Sequence, residues 1–115
     1  MTTIVQVEYR TSLLSIREEV LQFLGHPIVS VLSSRAAQKL DLSDCRVGAV
    51  VIGHGAPWQE RSELIAHFKK TLPGVPIVAS LRQSDKPFNK ADYNCPADDP
   101  PLRVRTVTQA LAGTE

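Results

Sequence analysis

The sequence is poor in the residues that most often announce a function. It has two cysteines, Cys45 and Cys95, fifty positions apart; that is too few and too dispersed for a disulfide framework or a metal-ligand cluster. Both read as packed small apolar side chains. An excess of charge of one sign is also missing: 13 basic and 12 acidic side chains give a net charge of +1. No global field therefore recruits nucleic acid or an anionic membrane. The basic residues are scattered, and only Lys69 and Lys70 adjoin, which argues against a nucleic-acid groove. No apolar run approaches the roughly 20 residues needed to cross a bilayer. The opening MTTIVQVEYR lacks a basic region leading into an apolar one, so no signal peptide is expected. With no address of any kind, the expected location is the cytoplasm.

What is present is an alternation of short apolar runs and helical patterns. The 115 residues suit one compact domain, 1–115, with one core. TIVQV at 3–7 reads as a strand. Residues 12–24 follow with Leu13, Ile16, Val20 and Leu24 at helical spacing, capped by Thr11 or Ser12 and stopped by Gly25 and Pro27. IVSVL at 28–32 is a second strand, and Ser33 or Ser34 caps a short helix to Leu40. VGAVVI at 47–52 is nearly all apolar, as expected of a central parallel strand covered on both faces. A helix over 59–71 buries Leu64, Ile65, Phe68 and Leu72, and PIVAS at 76–80 is the fourth strand. A polar stretch, LRQSDKPFNKAD, leads to a brief strand around Tyr93–Cys95 and a last helix over 101–112. Right-handed crossovers between parallel strands then give a doubly wound three-layer sandwich.

The stretches IVQVEYRTSLLSIREEVLQFLGH and VVIGHGAPWQERSELIAHFKKTLPGVPIV resemble the receiver domain of two-component response regulators. The likeness covers nearly the whole chain. It includes Pro57, four residues past the position of the phosphoacceptor, the run Glu63, Leu64 and Ile65, and Pro76 opening the fourth strand. It implies a flavodoxin-like fold with a five-stranded parallel sheet in the order 2-1-3-4-5. Receivers carry a full helix between strands four and five. Here only about eleven residues separate Leu81 from Tyr93, Pro87 among them, so that helix should be shortened or absent.

Receivers use Mg²⁺ to phosphorylate an aspartate at the end of strand three, and the functional positions of that reaction are erased here. The resemblance sets Glu8 and Tyr9 where paired acids would hold the metal. Gly53 stands at the phosphoacceptor, Leu81 at the switch hydroxyl (with Ser80 one residue earlier), and Pro96 and Ala97 at the lysine-proline pair. Glycine has no carboxylate to attack a phosphoryl donor. Glu8 beside Tyr9 is a poor Mg²⁺ ligand set, and a transferring phosphoryl would lack compensating charge. The expectation is a protein without enzymatic activity, cofactor or bound metal.

His54, between Gly53 and Gly55, has two readings. It is a polar loop residue, or a substitute nucleophile that accepts a phosphoryl group on its imidazole. Trp58 also has two: an anchor for a partner, or a lid on the core. Glu8 and Asp85 are the acids within reach of a residual cation site, and Asp98 or Asp99 ahead of the last helix reads as its cap. His26 and His67 lack partners at metal spacing; Arg17 carries no motif. The leading function is a pseudo-receiver, a protein-interaction module in phosphorelay-type signalling, with Tyr9, His54 and Trp58 as its contact surface. The alternative is a small phosphocarrier or enzyme centred on His54.

Overall fold

The computed structural model describes residues 2–113. Nine elements follow one another: β1 (Thr3–Val7), α1 (Thr11–Gln22), β2 (Ile28–Val31), α2 (Ser34–Gln38), β3 (Val47–Ile52), α3 (Trp58–Thr71), β4 (Ile77–Leu81), β5 (Tyr93–Pro96) and α4 (Pro100–Ala112). The sheet order is β2-β1-β3-β4-β5, and every pair is parallel. This is the expected flavodoxin-like sandwich, with no helix between β4 and β5.

Alternation along the strands divides the core in two. Ile4, Ala49, Val51, Val78 and Cys95 face Leu21 of α1 and Val107, Ala110 and Leu111 of α4. Val5, Val7, Val50, Ile52 and Ala79 face Leu64, Ile65 and Phe68 of α3 and Ala37 of α2. Ser33 caps α2 by accepting from the Ala36 amide at 3.0 Å, and Asp99 caps α4 by accepting from the Leu102 amide at 3.1 Å. Neither Thr11 nor Ser12 caps α1: Arg10 holds that place without a side-chain bond. Gly25 and Gly74, at φ of 81° and 83°, supply the left-handed turns after α1 and α3.

The inner face of α1 differs from the one its apolar spacing suggests. Arg17 and Leu21 are buried on it, whereas Ile16 is 60% exposed and Phe23 87% exposed. The physical reason is an ion pair under the helix, described below, which rotates Arg17 inward and carries Ile16 out.

The 82–92 segment replaces the missing helix and is fastened at several points. Phe88 inserts into the α2/α3 side of the core and stacks on Trp58, with ring centroids 5.0 Å apart. The Trp58 indole N–H donates to the Lys86 carbonyl at 2.8 Å, and the Lys86 ammonium sits 4.6 Å above the indole. Asn94 brackets Phe88, accepting from its amide and donating to its carbonyl. The guanidinium of Arg61, fully buried, lies 5.2 Å from the Phe88 ring centroid. Ammonium, indole, phenyl and guanidinium thus form a continuous series of contacts.

Candidate functional site

In a doubly wound sheet the crevice at the carboxyl ends of the central strands is where ligands bind. Val7, Ile52 and Ala79 are register partners across β1, β3 and β4. The residues after them, Glu8, Gly53 and Ser80, therefore form the next row, which Cys95, the partner of Ser80, completes. By strand alternation the row faces α1 and α4. Leu81 and Pro96, paired with each other, lie one step further on. Leu81 packs against the α2/α3 side of the core, so on β4 it is Ser80 that shares the row of Gly53, and the β5 member of the row is Cys95.

Glu8 is buried to 1% exposure. Its Oε2 accepts from Arg17 Nη1 at 2.8 Å, an ion pair closed off from solvent on both sides. A Cβ built on Gly53 would lie 2.6 Å from Glu8 Cδ and 2.8 Å from Oε2, so the carboxylate fills the room that any side chain at 53 would need. Arg103 descends from α4 onto the same row and is also buried. Burial, and then the nearby Arg17 charge, bring its pKa down to about 10. Glu8 Oε1, Ser80 Oγ and Arg103 Nε have no hydrogen-bond partner among the described residues. Tyr9 points the opposite way. Its hydroxyl is 2.7 Å from Ser34 Oγ, which donates to Glu60 at 2.9 Å, and its Cβ would stand 2.8 Å from a Cβ at Gly55. Burial raises the Tyr9 pKa against the lowering effect of the Ser34 hydrogen bond.

On the outer side of the strand ends lies an open cavity of about 580 Å³, lined by His54, Leu81, Arg82, Asp85, Pro96 and Asp98 among others. His54 is half-buried. Desolvation, and then the positive field of Arg17, Arg61, Arg82 and Arg10, hold its pKa below the ordinary value, which favours the neutral imidazole. Asp85 accepts from Arg61 Nη2 and from the Arg82 amide, both at 2.8 Å. Burial pushes its carboxyl up, but these bonds and the two guanidinium charges outweigh it and hold the pKa below the usual range.

Of the residues expected to form one contact surface, His54 lines the cavity, while Tyr9 and the half-buried Trp58 pack against the core and place their polar ends on Ser34 and on the Lys86 carbonyl. Three buried arginines, Arg17, Arg61 and Arg103, organise the site, and nothing in their motif context marked them. Their spacing to apolar neighbours did carry a signal: Arg61 shares a helical face with Leu64, Ile65 and Phe68, and Arg103 with Val107, Ala110 and Leu111.

No family model matches the chain, and no curated protein matches it in sequence. Solved structures do. A response regulator receiver domain protein from Clostridium thermocellum superposes with a TM-score of 0.83 at 12% identity, over 97% of this chain and 95% of that one. The fold is that of the receiver domain. An uncharacterised protein from Neptuniibacter caesariensis gives a TM-score of 0.85 at 16% identity, over 98% of this chain and 89% of its own. The response regulator TrrA from Thermotoga maritima, solved in complex with Mg²⁺–BeF, gives 0.79 at 16% identity, over 96% and 99%. At such identities the likeness is one of fold.

The residues present do not fit the Mg²⁺ that the receiver fold implies. Glu8 is committed to Arg17 and Asp85 to Arg61, so the two acids meet guanidinium groups instead of a common cation. Gly53 offers no side-chain ligand. Among the described residues no group of three or more His, Cys, Asp or Glu side chains converges as a metal site would require. No helix among them is long and apolar enough to cross a membrane.

Proposed function

We propose that the protein is a pseudo-receiver: a signal-transduction module of receiver fold that works by protein contact and is not phosphorylated on an aspartate. The observation that carries this reading is the Glu8 carboxylate lying in the space of the missing side chain at position 53. An absent nucleophile could leave an empty pocket open to other uses; here the pocket is filled and neutralised from within by Arg17. The contact face is the cavity around His54, Arg82 and Pro96, which combines an apolar floor with a few polar groups.

The test is incubation with acetyl phosphate or phosphoramidate and Mg²⁺, followed by intact-mass measurement. The expected spectrum shows no phosphorylated adduct. A second reading is kept because His54 lines the cavity as a neutral imidazole, the form that attacks a phosphoryl donor. A stoichiometric adduct that disappears in His54→Gln would establish it in place of the first.

A further inference from the structure

Among the described residues only Gly25 and Gly74 have positive φ, so the backbone at Gly53 is one that any L-residue adopts. What requires glycine there is its neighbour. The Glu8 carboxylate occupies the position of the missing side chain, and it cannot move aside cheaply, because Arg17 and Glu8 are both buried and joined at 2.8 Å. Position 53 has lost its side chain and position 8 has extended one into the same volume from the adjacent strand. The packing is reciprocal.

Charge follows the same logic. The row beneath α1 and α4 is approached by two guanidinium groups, Arg17 and Arg103, and both feel the Glu8 charge or its hydrogen bond. Glu8 is the carboxylate of this row, and a buried cation stripped of its counter-charge is costly.

We infer that the Glu8–Arg17 ion pair is a built-in occupant of the strand-end crevice. Glu8 delivers from β1 the carboxylate that position 53 lacks, and Arg17 supplies from α1 the positive charge beside it. The crevice is thereby held in one charge state and one packing, without metal or phosphoryl group. This rests on the reading of the crevice as a degenerate receiver pocket and adds its regulation: the site is fixed rather than switched.

The experiment is an exchange cycle between the two strands, using Glu8→Ala, Gly53→Asp and the double variant in the intact chain. Each single change lowers the melting temperature by about 10 °C, one by leaving Arg17 unpaired and the other by crowding two carboxylates into one space. The double variant recovers most of the loss, because Asp at 53 returns a carboxylate to Arg17. Additive losses in the double variant overturn the inference. Should either single variant fail to fold, Glu8→Gln keeps the shape and removes the charge. The buried Arg17 then loses its counter-charge and the melting temperature again falls by about 10 °C. An unchanged melting temperature in Glu8→Gln overturns the inference as well. A phosphorylated adduct on the unmodified protein would overturn the proposed function instead and leave the outcome of the cycle to stand separately.

Discussion

At the scale of single residues, the molecule is built around arginines that a sequence reader would assign to the surface. Arg61 is the clearest. Its Nε donates to the Ala56 carbonyl at 2.8 Å, Nη1 to the Ser80 carbonyl at 3.0 Å and Nη2 to Asp85 at 2.8 Å. One side chain thus ties the β3–α3 turn, the end of β4 and the 82–92 segment together. Replacing it with leucine takes the guanidinium donor from the Ser80 carbonyl and leaves Ala56 and Asp85 held by Arg82 alone, a loss of about 3–5 kcal/mol that urea melts at pH 7 would measure. The sign of the pH dependence follows from Asp85. Its folded pKa lies below the unfolded value, so its contribution is present above the unfolded pKa and is lost as pH falls through the folded one. Acid should therefore narrow the difference between Arg61→Leu and the unmodified protein; a constant difference down to pH 3 would place the stabilisation elsewhere. The pattern Arg61, Leu64, Ile65, Phe68 was readable as one helical face. What the sequence did not contain was the acceptor set, since two of the three partners are main-chain carbonyls and any residue supplies those.

Among the elements, the strands were the most legible and the loop that stands in for a helix the least. β-branched runs at 3–7, 28–32, 47–52 and 76–80 carry their own periodicity, and all four fall on observed strands. The shortness of the 82–92 segment, with Pro87 inside it, correctly excluded a helix. Its anchoring was not visible, because the stack of Trp58 on Phe88 joins residues thirty positions apart with no periodic relation. α1 erred in the other direction: Ile16 fitted the apolar spacing, yet the buried Glu8–Arg17 pair set the rotation of the helix. Trp58 now reads as a fastener. Its removal forfeits the Phe88 contact, the bond to the Lys86 carbonyl and the ammonium–indole contact. Because Trp58 is only half-buried, Trp58→Ala should cost about 2 kcal/mol, less than a fully buried aromatic. Hydrogen exchange should report the same change locally, with faster exchange over 82–92 and little effect on β1 and β3. Uniform acceleration across the sheet would show that Trp58 supports the whole core.

For the molecule as a whole, the proposed contact role depends on which face remains free once the crevice has been filled. The α1/α4 side of the strand ends is closed by Glu8, Arg17 and Arg103, and the hydroxyl of Tyr9 is engaged by Ser34. What stays open at the carboxyl ends is the cavity of about 580 Å³ beside β4 and β5, in the region where the full helix of receivers is missing. The competing surface is the outer side of α1, where Ile16 and Phe23 stand exposed; exposed apolar side chains are common on soluble proteins and do not by themselves mark an interface. The cavity has the stronger claim because its apolar floor, Leu81, Pro96 and Ala97, is framed by groups able to set orientation: the neutral imidazole of His54, the partly exposed guanidinium of Arg82 and the carboxylate of Asp98. A partner captured from a native extract with the intact chain as bait can decide between them. Arg82→Ala and His54→Gln should each weaken its binding about tenfold, near 1.4 kcal/mol and typical of a contributing interface residue, while leaving the melting temperature within a few degrees. Ile16→Ser and Phe23→Ser should leave affinity unchanged. The reverse pattern, with affinity lost only in the α1 variants, would move the working surface to the opposite flank and leave the cavity as a by-product of the missing helix.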